Sequence, residues 1–260
     1  MPAEIAKKTM VYRVPNMDAV RVRRDVEFQP AEGGPLLMDL YFPPDTGRPP
    51  LVVLVLGWAD VDVPLPLGCQ FREMGMAVSL AQLLAASGMV GVIYQARNPV
   101  ADLDAVLAHL RENEDALGID GTRIGIWAVS GNVPVAVAAL MGGQARCGVL
   151  SSGYMFDLDG ATGVAKAAAE YGFANPLAGR QVEDLRGGTA LFIVRCGLEQ
   201  FAAVNESIDS FMAKALPRNL PVTLLNHATG THGFELSDDS KASRDVVRAM
   251  LGFLGDKLEA

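Results

Sequence analysis

The chain has 260 residues, is 50% hydrophobic and 20% charged, and carries 22 Lys and Arg against 30 Asp and Glu, a formal net charge of −8. A chain of that length buries enough apolar surface for one large core, and its acidic balance offers no basic footprint for a nucleic-acid backbone or an anionic membrane. The three cysteines, Cys69, Cys147 and Cys196, are too few and too far apart for a disulfide framework or a zinc knuckle, and no apolar run is long enough to span a bilayer, so a cytoplasmic protein is expected.

In chain order, the first elements are two short runs rich in Val, Ile and Leu, over 22–28 and 36–42. Glu32-Gly33-Gly34-Pro35 lies between them, and the combination predicts a hairpin. A Pro-rich loop over 43–50 then leads to Leu51-Val52-Val53-Leu54-Val55-Leu56, apolar at every position. A strand apolar on both faces belongs in the middle of a sheet covered on both sides by helices. Regular alternation follows: a helix over 76–87 ended by Gly88, a strand over 90–94, and a helix over 100–117 with Leu103, Val106, Leu107, Leu110 and Leu117 in one stripe. Next come a strand over 123–129, a helix over 133–141, strands over 147–150 and 190–195, a helix over 206–216, a strand over 222–225 and a last helix over 239–258. This order predicts a mostly parallel, doubly wound α/β sheet with an antiparallel N-terminal hairpin and helices on both faces.

Two segments interrupt the alternation, near 61–75 and 152–188. Both follow strands, at the end of an open α/β sheet that holds ligands, and are expected to act as lids on one domain spanning 1–260, with a local helix over 162–171. Phe71, Met74 and Met76 on the first, and Tyr154, Met155, Phe156, Tyr171 and Phe173 on the second, point to an apolar acyl or aryl pocket.

The most informative passage is the strand over 123–129 that runs directly into Ser130-Gly131 and then a helix with Pro134 in its first turn, where a missing N–H costs little. That junction puts Ser130 on a tight turn above the sheet with a helix N-terminus aimed at it. Such a site suits a nucleophile: the Gly131 amide can face a developing oxyanion, and the positive end of the helix dipole favours charge there. A serine needs a base, and the chain has three histidines. His109 falls in a helix on the outer face of the sheet, away from the strand ends. His227 and His232 both fall in the loop expected over 226–234; His232, at the far end of that Gly-containing loop, is favoured and His227 is the second candidate. A carboxylate to orient the base is available in Glu199, just beyond the strand over 190–195, with Glu206 and Asp209 on the following helix as weaker choices and Asn205 as that helix's expected cap.

Ala128-Val129-Ser130-Gly131-Asn132 resembles the nucleophile elbow of the α/β-hydrolase superfamily, G-x-S-x-G, with Ala128 and Asn132 standing where the pattern has glycine. The stretch from Leu40 through the Pro-rich loop to Leu56-Gly57-Trp58-Ala59 is similar to serine esterases and dienelactone-hydrolase-like members, and His232-Gly233-Phe234 resembles their His-x-Phe. The resemblance implies the α/β-hydrolase fold and a triad of Ser130, Glu199 and His232, in the superfamily's order. It also implies an oxyanion hole from the backbone amides of Gly131 and Trp58, with Ala59 as an alternative donor. The implied activity is cleavage of a carboxylic ester or related acyl bond through an acyl-enzyme on Ser130. A small-molecule ester or acyl compound is the expected substrate, with no cofactor and no metal. The competing expectation is a catalytically silent binding protein on the same fold. A dinucleotide-binding protein is disfavoured, because no G-x-G-x-x-G follows the early strands and Tyr154 has no lysine four residues on. Cys147 and Cys196 read as buried, inert thiols, and the sequence is silent on oligomeric state.

Overall fold

The computed structural model describes residues 3–44, 47–57, 67–185 and 188–259. β1 (Arg21–Gln29) and β2 (Leu36–Phe42) form the expected antiparallel hairpin. β3 (Leu51–Leu56), β4 (Val90–Tyr94), β5 (Ile124–Val129), β6 (Cys147–Ser151), β7 (Ala190–Leu198) and β8 (Val222–Thr231) are parallel to one another. β2 joins them antiparallel to β4, and the sheet order is β1-β2-β4-β3-β5-β6-β7-β8. The strands at the centre are apolar at successive positions because both of their faces are covered. Val53, Val55, Ile126 and Ala128 enter one core layer, and Val52, Leu54, Trp127 and Val129 enter the other.

The helices are α1 (Glu4–Lys7), α2 (Gly75–Ala86), α3 (Pro99–Glu112), α4 (Glu114–Leu117), α5 (Val133–Met141), α6 (Val164–Tyr171), α7 (Val204–Ala215) and α8 (Lys241–Glu259). α2 and α8 cover one face through Leu80, Leu84, Val247 and Leu254, while α3, α5 and α7 cover the other through Leu103, Val137 and Ile208. The helix expected over 100–117 is broken at Asn113, whose side chain and backbone N–H both return to the His109 carbonyl. No helix among the described residues is long and apolar enough to cross a membrane.

Three local findings differ from the sequence reading. β7 and β8 outrun their apolar stretches, with Cys196 paired to His227 and Leu198 to Thr231 across a bulge, so most of the expected loop over 226–234 is strand. α7 starts at Val204 after Ala203 at φ +72, and Asn205 does not cap it but donates its side-chain amide to the Cys196 carbonyl. Within 152–188, Met155 and Phe156 are fully buried in the core, and Phe156 stacks on Phe211 with centroids 5.8 Å apart.

A further element had no periodic signal at all. The N-terminal segment crosses one end of the sheet as a strap: Ala3 N–H donates to the Leu67 carbonyl, Met10 N–H to Ser79 Oγ and Val11 N–H to the Glu235 carbonyl, each at 2.9 Å. It joins the segment before α2 to the turn that follows β8.

Candidate active site

Three strand ends converge. β5 passes straight into a single tight turn, Ser130–Asn132, and then into α5, which forces Ser130 to φ +60. A left-handed backbone costs a non-glycine residue roughly 1–3 kcal/mol and persists only where its surroundings impose it. One such constraint is Gly153, beyond the end of β6: a Cβ there would lie 2.1 Å from Val133 Cγ2 and 2.9 Å from the Ser130 carbonyl oxygen. Only glycine lets the turn close at that point.

His232, the first residue after β8, sets its Nε2 2.9 Å from Ser130 Oγ and its Nδ1 2.9 Å from Glu199 Oε2. Glu199, the first residue after β7, is 2% exposed at its side chain and His232 16%. Glu199 Oε1 accepts the backbone N–H groups of Gln200 and Phe201, at 2.8 and 3.0 Å. Burial pushes this carboxyl up, but the hydrogen bond and charge of His232 together with the two amides outweigh it, and the net shift is below the usual carboxylate range. The Phe201 ring meets the imidazole edge-on at 4.6 Å and is itself met edge-on by Tyr171. A hydroxyl bonded to an imidazole that is bonded to a buried carboxylate is an arrangement able to carry out nucleophilic acyl transfer.

The other candidates lie elsewhere. His227 is buried, with Nε2 2.7 Å from Ser243 Oγ and its ring against Phe234. Asp209 pairs with Arg195, and Glu206 sits on the exposed side of α7. Cys196 Sγ lies 2.9 Å from Ser152 Oγ, and burial pushes the Cys196 and Cys147 thiols up to about 12. Trp58 and Ala59 fall outside the described residues. Gly131 is described and is packed closely, so that a Cβ on it would lie 3.2 Å from Phe173 Cβ and 3.3 Å from the Gly57 carbonyl oxygen.

A cavity of about 350 Å³ opens over Ser130 and His232, walled by Phe71, Met74 and Met76 as anticipated, and also by Ile5 of the strap, Phe201 and Leu236. Tyr154, Met155, Phe156, Tyr171 and Phe173 are not among its lining residues. The sequence offered no signal for Ile5 or Phe201, which reach the cavity from unpatterned segments. Nor did it single out Glu235, which is 1% exposed and lies in the turn just after His232. Ser151 Oγ donates to Glu235 Oε1, Oε2 has no partner among the described residues, and burial holds the carboxyl above its ordinary range despite the serine hydroxyl. Among the described residues no group of three or more His, Cys, Asp or Glu side chains is arranged to hold a metal ion.

No protein-family model matches this chain, and no curated protein matches it in sequence. Solved structures do match. A thermophilic esterase from the Planctomycetes species Thermogutta terrifontis aligns with a TM-score of 0.71 at 17% identity, over 98% of this chain and 97% of its own. Carboxyl esterase 2 from the mycorrhizal fungus Tuber melanosporum gives 0.71 at 15% identity, over 98% and 92%. A bacterial heroin esterase gives 0.71 at 16% identity, over 94% and 86%. Likeness at such identity speaks for architecture: the chain has the α/β-hydrolase fold, with a hydroxyl, an imidazole and a carboxylate bonded in series at the carboxyl ends of β5, β8 and β7.

Proposed function

We propose that the protein is a serine hydrolase that cleaves carboxylic esters through an acyl-enzyme on Ser130. The observation that carries this reading is the unbroken series Ser130 Oγ to His232 Nε2 and His232 Nδ1 to Glu199 Oε2, both links at 2.9 Å. That the similar structures are described as esterases supports the same reaction class.

In the first half-reaction Ser130 Oγ attacks the ester carbonyl as its proton passes to His232 Nε2. The tetrahedral intermediate then collapses, the C–O bond to the alcohol breaks, and the alcohol leaves with the proton from Nε2. In the second half, water loses a proton to Nε2 and attacks the acyl-enzyme; the Ser130 C–O bond breaks, releasing the acid and restoring the hydroxyl. Glu199 holds the imidazole with Nδ1 protonated and steadies its cationic form. The amides of Gly131 and Trp58 are the proposed donors to the oxyanion, helped by the positive end of α5. The cavity walls favour an apolar acyl or aryl group over a charged one.

The test is Ser130→Ala assayed on a short p-nitrophenyl ester, beside lactone, thioester and amide substrates. Turnover is expected to fall by several orders of magnitude with the melting temperature preserved. A fluorophosphonate probe is expected to label Ser130 in the unmodified chain and nothing in the variant. Absence of any adduct, with turnover unchanged in Ser130→Ala, would replace this reading with that of a binding protein on a hydrolase fold.

A further inference from the structure

The pattern that residues 128–132 resemble has glycine where this chain has Asn132, and the surroundings of that side chain give the departure a purpose. Asn132 is 2% exposed, and its Nδ2 donates to the Leu56 carbonyl, 3.1 Å away. Only the nitrogen end of the amide can make that bond, so the side chain's orientation follows from it. Oδ1 is buried and has no hydrogen-bond partner among the described residues. An amide kept in the core with its oxygen unsatisfied is costly, which puts the weight of its presence on the bond its nitrogen makes.

Leu56 is where that bond has most effect. It is the last residue of β3 and forms the last rung with β5, opposite Val129. On the other side β3 has already parted from β4, whose last rung is Val53 with Val92. A small cavity of about 20 Å³ between Leu56, Tyr94, Arg72 and Asn132 marks the parting. The Leu56 carbonyl therefore lies where ladder partners run out, and Asn132 supplies a donor there.

We propose that Asn132 is a positioning residue that pins the end of β3, Leu56 and Gly57, beside the nucleophile's turn and so holds the Gly131 amide in place for the oxyanion. The proposal rests on the Ser130 reading. A peptide unit is planar, so fixing the Leu56 carbonyl also fixes the Gly57 N–H. Gly57, at φ +63, turns the chain at that point, and its own carbonyl is approached by the bare α-carbon of Gly131. The nucleophile's turn thus meets the end of β3 twice, by the close approach of Gly131 to Gly57 and by the Asn132 hydrogen bond to Leu56, and ties the position of Ser130 to the end of that strand. Hydrogen-bond donors stabilise an oxyanion only when held in place, and misplacement by about 1 Å costs on the order of a hundredfold in rate.

Two variants test this: Asn132→Leu, of similar size without a donor, and Asn132→Gly, which restores the superfamily's residue. Both are assayed on a short p-nitrophenyl ester, with a trifluoromethyl ketone as mimic of the tetrahedral state and a fluorophosphonate to report on Ser130. In each, kcat is expected to fall about ten- to a hundredfold with KM within about threefold, while ketone affinity weakens in step with kcat/KM and Ser130 is still labelled. An Asn132→Gly enzyme with unchanged kcat and ketone affinity overturns the proposal, and so does a loss confined to KM. If Asn132→Leu does not fold, the glycine variant decides alone. Failure of the underlying reading looks different, because the unmodified chain itself would then show neither Ser130 labelling nor Ser130-dependent turnover.

Discussion

Two buried carboxyl groups flank His232, and their surroundings drive them in opposite directions. Glu199 accepts two backbone amides and the imidazole, so its carboxyl is held below the ordinary value of 4.5; Glu235 accepts one serine hydroxyl, so burial wins and its carboxyl is held above 4.5. Hydrogen-bond supply and depth together separate them, since Glu235 is the more deeply buried of the two and the less well supplied with donors. The consequences for stability have opposite signs. Glu199 stabilises the native chain above pH 4.5, the unfolded value, and that contribution is lost as pH falls through its lower folded value. Glu235 is most favourable below pH 4.5, where both states are protonated, and its contribution is lost as pH rises through its higher folded value. Glu235→Gln, which keeps the shape and removes the ionisation, is therefore expected to melt close to the unmodified chain near pH 4 and above it once the pH has risen past 4.5. Calorimetric melting temperatures between pH 4 and pH 8 check it, and a difference that does not vary with pH would contradict a carboxyl held above its ordinary value at Glu235. That Ser130, Glu199 and His232 come together was legible beforehand because each stands just beyond an apolar run in the order that a known pattern supplies. Asn132, Gly153 and Glu235 were not, because what matters about them is which distant atom they meet.

Among elements, those specified by apolar periodicity were read almost to the residue, as with β3, β5 and α5. The ends of β7 and β8 were misread because their last rungs are backbone hydrogen bonds at the sheet edge, where polar side chains such as Asn226 and Thr229 face solvent and hydrophobicity stops before the ladder does. The N-terminal strap escaped for a related reason: three backbone N–H groups anchor it, and Met10 and Ala6 bury themselves in hollows no period announces. Its Ile5 walls the cavity, so a chain beginning at Met10 is expected to fold, with a melting temperature lower by several degrees, and to accept longer acyl groups at the expense of short ones. The ratio of kcat/KM for decanoyl over butanoyl p-nitrophenyl esters measures this; an unchanged ratio would show that the strap does not shape the cavity. Ser79→Ala leaves Met10 N–H buried without its acceptor and is expected to cost about 1–3 kcal/mol in denaturant unfolding.

For the molecule as a whole, one sheet buried between two helical layers binds distant stretches of chain into a common core, and the cysteines offer a way to measure its cooperativity. Cys147 begins β6 and Cys196 lies within β7, both buried with thiols pushed up to about 12, whereas Cys69 is half-buried before α2. Iodoacetamide at pH 8 is expected to modify Cys69 alone in the native protein and all three thiols in denaturant, as read by mass spectrometry. Rapid native modification of either sheet cysteine would mean that β6 or β7 opens independently of the rest.

The groups assigned to bond cleavage come from the ends of β5, β7 and β8, whereas much of the cavity wall is contributed by the N-terminal strap and the stretch entering α2. Proton transfer and much of the cavity wall are thereby encoded in separate lengths of polypeptide. Mutational drift or directed evolution in the first eighty residues can retune which compound is accepted while the proton-transfer apparatus, written more than a hundred positions downstream at Glu199 and His232, is inherited intact.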